Sequence, residues 1–338
     1  MTVLQETWFI LLGVLFMAYA VLDGFDLGVG FWFLFAPSEE RSYMLRTIKP
    51  FWDGNEVWLI AGMGTLFAAF PVVYATVLSG FYLEIMVVIF ALILRAVAIE
   101  FRDALENETW TGIWDVIFSV SSMIPPLSFG LTAGNVLKGL PLDINGYYAG
   151  SALALFSHYS IVAGLISLMM FANQGALYLA LKSDGVLRQR ALIWVGYAWM
   201  GYLAAFIDLT VWSISITPHI SVNFILRPAL FLIPLLGFLS IIGIPILTHL
   251  KKIRAAFIVS TLSIILMISM FGASIFPFLV PTFGNPGDSL TIANASSSEK
   301  TLGIMLVILL IGMPFVVAYN IYIYRVFRGV IRESDAGY

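Results

Sequence analysis

The sequence predicts an all-α integral membrane protein with nine transmembrane helices. The chain of 338 residues is 60% hydrophobic and 11% charged, where soluble domains carry about 25% charged residues. Mean hydropathy is +0.96. The apolar residues arrive in runs that match the roughly 20 residues a helix needs to cross a hydrocarbon core.

The elements follow in chain order. The first span, WFILLGVLFMAYAVLDGFDLGVGFWFLF, covers about 8–35. The preceding MTVLQET has no basic region and no small-residue cleavage site follows, so this run reads as a retained span and not a cleaved signal. Further spans are expected at about 55–75, 79–102, 114–136, 155–181, 191–213, 225–248, 255–278 and 302–326. The connections are short, and the longest polar one, at 281–300, separates the last two spans. No soluble domain fits anywhere, so residues 1–338 read as one polytopic membrane unit.

Charge sets the expected orientation. All of the 17 Lys and Arg except Lys138, Arg227 and Lys300 fall on one side, Arg332 in the C-terminal tail among them. The positive-inside rule makes that side cytoplasmic, with the N-terminus outside and the C-terminus inside. Net charge is only −3 and no basic tract points to nucleic acid. Cysteine is absent, which excludes disulfides and thiolate metal sites within the chain. The three histidines, His158, His219 and His249, are too few to hold several haems through imidazole ligands and lack the spacing of a helical metal site.

Two acidic pairs stand out, because a carboxylate in hydrocarbon is costly unless paired, protonated or hydrated. Asp23 and Asp26 lie in the first span, three apart and so on one helix face. In low dielectric two such groups do not both ionise readily, which suits a proton relay. The same segment also carries Gly24, Gly28 and Gly30, whose spacing serves close helix packing without any chemistry. Asp53 and Glu56 repeat the spacing at the start of the second span. There a capping-box reading, with Asp53 as N-cap and Glu56 at N3, competes with a functional one. Trp52 and Trp58 flank them as an expected interfacial belt.

Arg95, in VVIFALILRAVAIEF, either pairs with these acids or snorkels to the surface. The topology draws Asp23, Asp26, Asp53, Glu56, Arg95, Glu100 and Asp115 toward the cytoplasmic half of the first four spans, with Glu84 nearer the outer face. Asp208 reads as a helix–helix contact, and the Gly string GFDLGVG lacks the features of a phosphate loop.

VLDGFDLGVG, WDGNEVWL, LSGFYLEIMVV, RAVAIEFR, WDVIFSVSSMIPPLSFGLTAGNVLKG, NQGALYL and FPFLVP followed by SLTIANASSSEKTL occur in one order along the chain. Together they strongly resemble subunit II of cytochrome bd quinol oxidases, nearly end to end. The resemblance implies a bacterial or archaeal cell-membrane complex that oxidises quinol, reduces dioxygen to water and builds a proton gradient. It implies two four-helix bundles (about 8–136 and 155–278) and a peripheral ninth helix (about 302–326). Two haems b and a haem d belong to the complex and are expected on the partner, subunit I. A small single-span subunit and membrane lipid are further expected partners.

No catalytic residue and no metal ligand is expected in this chain. Asp26, Trp52, Asp53, Arg95 and Glu100 match family positions implicated in subunit contact or in proton or oxygen access, with Asp23 and Glu56 as further candidates. Glu56 stands where some members carry a neutral residue. Inner-half carboxylates and Gly-interrupted spans also fit a proton-coupled secondary transporter, which would move a solute when reconstituted alone.

Overall fold

The computed structural model describes residues 1–143, 146–216, 218–282 and 286–331, apart from the side chains at 216, 218, 219 and 286. Arg332 and the His219 side chain lie outside the described residues. The long helices are α1 (Val3–Phe33), α3 (Trp52–Ala69), α5 (Tyr82–Phe101), α6 (Glu108–Lys138), α7 (His158–Lys182), α8 (Gly185–Ile216), α10 (Leu232–His249), α11 (Ile253–Ile275) and α13 (Glu299–Val326). Shorter helices α2 (Ser38–Ile48), α4 (Pro71–Gly80), α9 (Val222–Leu226) and α12 (Ile292–Ala295) connect them. Strands β1 (Phe278–Val280) and β2 (Leu290–Thr291) form an antiparallel pair before α12.

Among the described residues, eight helices are long and apolar enough to cross a membrane, or nine if the bent pair α3–α4 is one span. That pair corrects the expectation of a continuous second span at 55–75: it bends by 118°. The cause is Pro71, the first residue of α4, which has no N–H to continue the α3 ladder and is preorganised to start a helix instead.

Helix α7 is the hub. It packs against α1, α6, α8 and α11 and is buried along most of its length. Small residues permit this. A Cβ on Gly28 would sit 1.9 Å from the Phe171 carbonyl oxygen, and one on Gly175 would sit 2.3 Å from the Gly28 carbonyl carbon. Likewise a Cβ on Gly130 of α6 would sit 2.3 Å from the Ala163 oxygen. The glycines of the first span therefore serve close helix approach, which leaves the Asp23–Gly30 stretch of α1 wholly buried.

Helix α2 falls in the connection expected between the first two spans. Its Tyr43, Met44, Leu45 and Ile48 enter the core beside Phe25, Val29 and Phe33, while its charged residues stay near the surface. In contrast, α13 buries little of itself and leans on α1 and α3.

A buried ion-paired cluster as candidate functional site

Arg95 lies fully inside, at 0% exposure, and does not snorkel. Helix α5 aims it at α1, where its two terminal nitrogens grip Asp23: Nη2 donates to Oδ1 at 2.6 Å and Nη1 to Oδ2 at 2.9 Å. Nη1 also donates to Glu56 Oε1 of α3 at 3.2 Å. Bidentate geometry of this kind is the strongest form of carboxylate pairing. Three helices are thus tied at one point, and a charge that hydrocarbon would reject is compensated inside protein.

Asp26, one turn along α1 and also fully buried, does not bond Arg95. Its Oδ2 accepts from Asn55 Nδ2 at 2.7 Å. Its Oδ1 is buried with no partner among the described residues, as is Nε of Arg95. Asn55 Nδ2 also donates to the Leu22 carbonyl at 3.0 Å, and Asn55 Oδ1 accepts from the Tyr324 hydroxyl of α13 at 3.0 Å.

The seven acids and bases expected together divide into separate sites. Asp23, Glu56 and Arg95 form one ionic unit, with Asp26 beside it. Asp53 and Glu100 are exposed, and Glu100 lies 4.0 Å from Lys49. Asp115 belongs to a second buried cluster, where it accepts from Arg102 Nε at 2.6 Å and Arg41 Nη1 at 3.0 Å. Since Arg102 also donates to Ser42 at 2.9 Å, that cluster docks α2 onto α5 and α6.

The capping-box expectation for Asp53 and Glu56 is corrected. Helix α3 begins at Trp52 with Phe51 as N-cap, two residues earlier than a cap at Asp53 implies. Asp53 therefore sits within the first turn, where the helix dipole still favours its charge, and Glu56 turns inward to Arg95. The aromatic-belt expectation is corrected in part, since Trp58 is a core residue with 7% exposure packed beside Leu27 and Phe171. Trp52 is half-buried against the other core.

Glu84 lies apart, accepting from Thr132 Oγ1 at 2.9 Å. His158 Nε2 lies 3.1 Å from Asp208 Oδ2, so Asp208 is a helix–helix contact between α8 and α7. Among the described residues no group of His, Cys, Asp or Glu could hold a metal ion. Asn55 and Tyr324 escaped the sequence reading. The available signal was an amide one residue from Glu56 in an otherwise apolar run.

The geometry holds a fixed ion pair next to a carboxylate with one unengaged oxygen, an arrangement that can store or pass a proton. Residues 4–327 match the family model described as cytochrome bd terminal oxidase subunit II. The chain is similar to "Cytochrome bd-I ubiquinol oxidase subunit 2" of Escherichia coli (strain K12), 34% identical over 98% of this chain and 96% of that protein. It is similar to "Cytochrome bd ubiquinol oxidase subunit 2" of Bacillus subtilis (strain 168), 33% identical over 99% of each. A solved chain titled "The structure of bd oxidase from Geobacillus thermodenitrificans" superposes with a TM-score of 0.81, covering 96% of this chain and 99% of that one at 16% identity, which is a likeness of fold.

Proposed function

The chain belongs to the cytochrome bd terminal oxidase subunit II family, and from that premise we propose that it is the non-catalytic second subunit of a quinol oxidase that reduces dioxygen to water and generates a proton gradient. The observation that carries this reading is likeness along nearly the whole chain to proteins named as subunit 2 of bd ubiquinol oxidases. The protein is a multi-pass membrane protein of a respiratory-chain complex, and its apolar helices and bacterial relatives support a place in the cell membrane.

Haem belongs to such a complex, and the described residues of this chain do not fit it. His158 faces Asp208 and His249 closes α10 at the opposite end of the bundle. The two haems b and the haem d are accordingly assigned to subunit I, which forms a heterodimer with this chain. Quinol oxidation and oxygen reduction take place there.

The role assigned to this chain is to stabilise subunit I and to supply a proton route from the cytoplasmic side. The basic residues near α2, the α7–α8 turn, the α10–α11 turn and the end of α13 support an inside location for that end, and thus an outside N-terminus. Two four-helix bundles followed by the peripheral α13 remain the proposed subdivision of the single membrane unit. Along the route, exposed Asp53 would collect protons, while Glu56, Arg95 and Asp23 form its charged floor and Asp26 its buried acceptor. Trp52 and Glu100 line the same end.

The test uses the purified complex. A visible spectrum with haem d bands, obtained only when this chain copurifies with a haem-bearing partner, is the expected result. A fully active oxidase in cells lacking this chain would overturn the assignment. Asp26→Asn and Asp53→Asn should each lower turnover while haem content persists. Removing a positioned proton carrier typically costs about 10²–10⁴-fold, and bypass by water makes the low end of that range the expectation. Unchanged turnover in both assembled variants would reduce the chain to a scaffold.

A further inference from the structure

We propose that Asn55 and Tyr324 are positioning residues for Asp26, which hold one carboxylate oxygen and leave the other as the single proton-exchanging atom. This rests on the proton-route reading above.

Asn55 is fully buried and satisfied on three sides. Its Nδ2 donates to Asp26 Oδ2 at 2.7 Å and to the Leu22 carbonyl at 3.0 Å. Its Oδ1 accepts from the Tyr324 hydroxyl at 3.0 Å. Those contacts fix the amide orientation, because the flipped amide would set its oxygen against two acceptors and its NH2 against a hydroxyl that must then turn its proton away. The Leu22 carbonyl and the Asp26 carboxylate thus select the orientation in which the NH2 faces Asp26, and the Tyr324 hydroxyl fastens the amide by its oxygen.

The ring of Tyr324 is held independently of its hydroxyl. It stacks on Phe51 at 4.6 Å between centroids and meets Phe25 edge-on at 6.4 Å. With Oδ2 occupied by the amide, Oδ1 is the oxygen of Asp26 left without a partner. A proton delivered from water forms its O–H bond at Oδ1 as the donor O–H bond breaks, and departs from the same atom to the next water. No electron changes hands. Helix α13, which buries little of itself, thus reaches into the acid cluster through one hydroxyl.

The experiment measures the whole complex in four forms: Tyr324→Phe, Asn55→Ala, the double variant and Asp26→Asn. Haem content reports assembly, and kcat and the quinol KM are read separately, with turnover also compared in heavy water. Tyr324→Phe should lower kcat about fivefold, the rate equivalent of one lost hydrogen bond. It should leave KM and haem content unchanged and enlarge the solvent isotope effect. In the Asn55→Ala background Tyr324→Phe should add nothing, since it acts through that amide. Unchanged kcat in assembled Tyr324→Phe, or an additive double variant, overturns the proposal even where Asp26→Asn is slow. Full turnover in Asp26→Asn overturns the proton-route reading itself. If Asn55→Ala fails to assemble, Tyr324→Phe alone still decides through its kcat and isotope effect.

Discussion

At the scale of single residues, the cluster is built on a charge balance that one substitution breaks. Arg95 and Asp23 are both fully buried, so Asp23 is tolerable only because of Arg95, which also holds Glu56. Arg95→Met would strand Asp23 in a low dielectric, and uncompensated buried charges cost about 3–5 kcal/mol. The expected outcome is a marked loss of assembled complex, read as haem content and as a lower Tm in detergent. Pairing Arg95→Met with Asp23→Leu should recover most of it, since replacing a whole buried pair with apolar groups is near neutral. Equal damage from the single and the double variant would show that the pair is needed for more than balance. The charges themselves were legible in the sequence, because ionisable side chains in apolar runs are conspicuous. Their pairing was legible only as a choice, because a helix with Arg95 two turns from its end permits both snorkelling and burial. Asn55 was not legible, since an uncharged amide next to Glu56 looks like any polar residue near a helix start.

At the scale of elements, helix contacts and breaks decide where those residues meet. Gly28 and Gly175 let α1 and α7 touch through backbone, which brings Asp23 and Asp26 into the interior. Gly28→Ala should therefore abolish assembly, because the added carbon meets the Phe171 carbonyl oxygen at 1.9 Å. Gly64→Ala in α3, where nothing lies within 4 Å, should be neutral or stabilising by about 0.5–1 kcal/mol. Comparable yields of both complexes would refute the close-contact account. The α3–α4 bend was readable in principle from Pro71, but hydropathy carries straight across it and hides it. Helix α2 was hidden for the opposite reason: its polar residues outweigh the four apolar ones that dock it. Its Tyr43 hydroxyl accepts from the Asp184 N–H at 3.1 Å and donates to the Ile331 carbonyl. Burial pushes the Tyr43 phenol up to about 12, above its ordinary value of about 10. A raised folded value means that its stabilisation is complete below about pH 10 and is lost as pH rises through about 12. The fall in Tm across that window should be shallower in Tyr43→Phe, and an identical fall would remove this contact from the account.

At the scale of the whole molecule, the number of crossings determines whether the two ends of the chain lie on the same side. If the bent pair α3–α4 merely dips into the membrane, eight spans put both termini together; if α3 crosses, nine put them apart. The packing favours a crossing. At one end of α3, Asn55 meets Leu22 and Asp26 of α1 and Tyr324 of α13. At its other end the Ala68 and Ala69 carbonyls accept from Ser297, just before α13, at 2.6 and 2.8 Å. Close by, Gln5 of α1 donates to Ser296 at 2.7 Å and Trp8 donates to the Leu302 carbonyl at 3.0 Å. Helix α3 thus runs antiparallel to α1 and α13 over their shared height. Its 18 residues span about 27 Å at 1.5 Å per residue, close to the roughly 30 Å of a hydrocarbon core. Because the chain contains no cysteine, single introduced thiols report sidedness without background. Thr2→Cys and Lys300→Cys should react with a membrane-impermeant maleimide on intact spheroplasts, whereas Lys251→Cys and Arg328→Cys should react only after permeabilisation. Labelling of Thr2→Cys and Arg328→Cys from the same side would mean eight crossings. It would also remove the support that the basic turns give to a cytoplasmic position for the acid cluster.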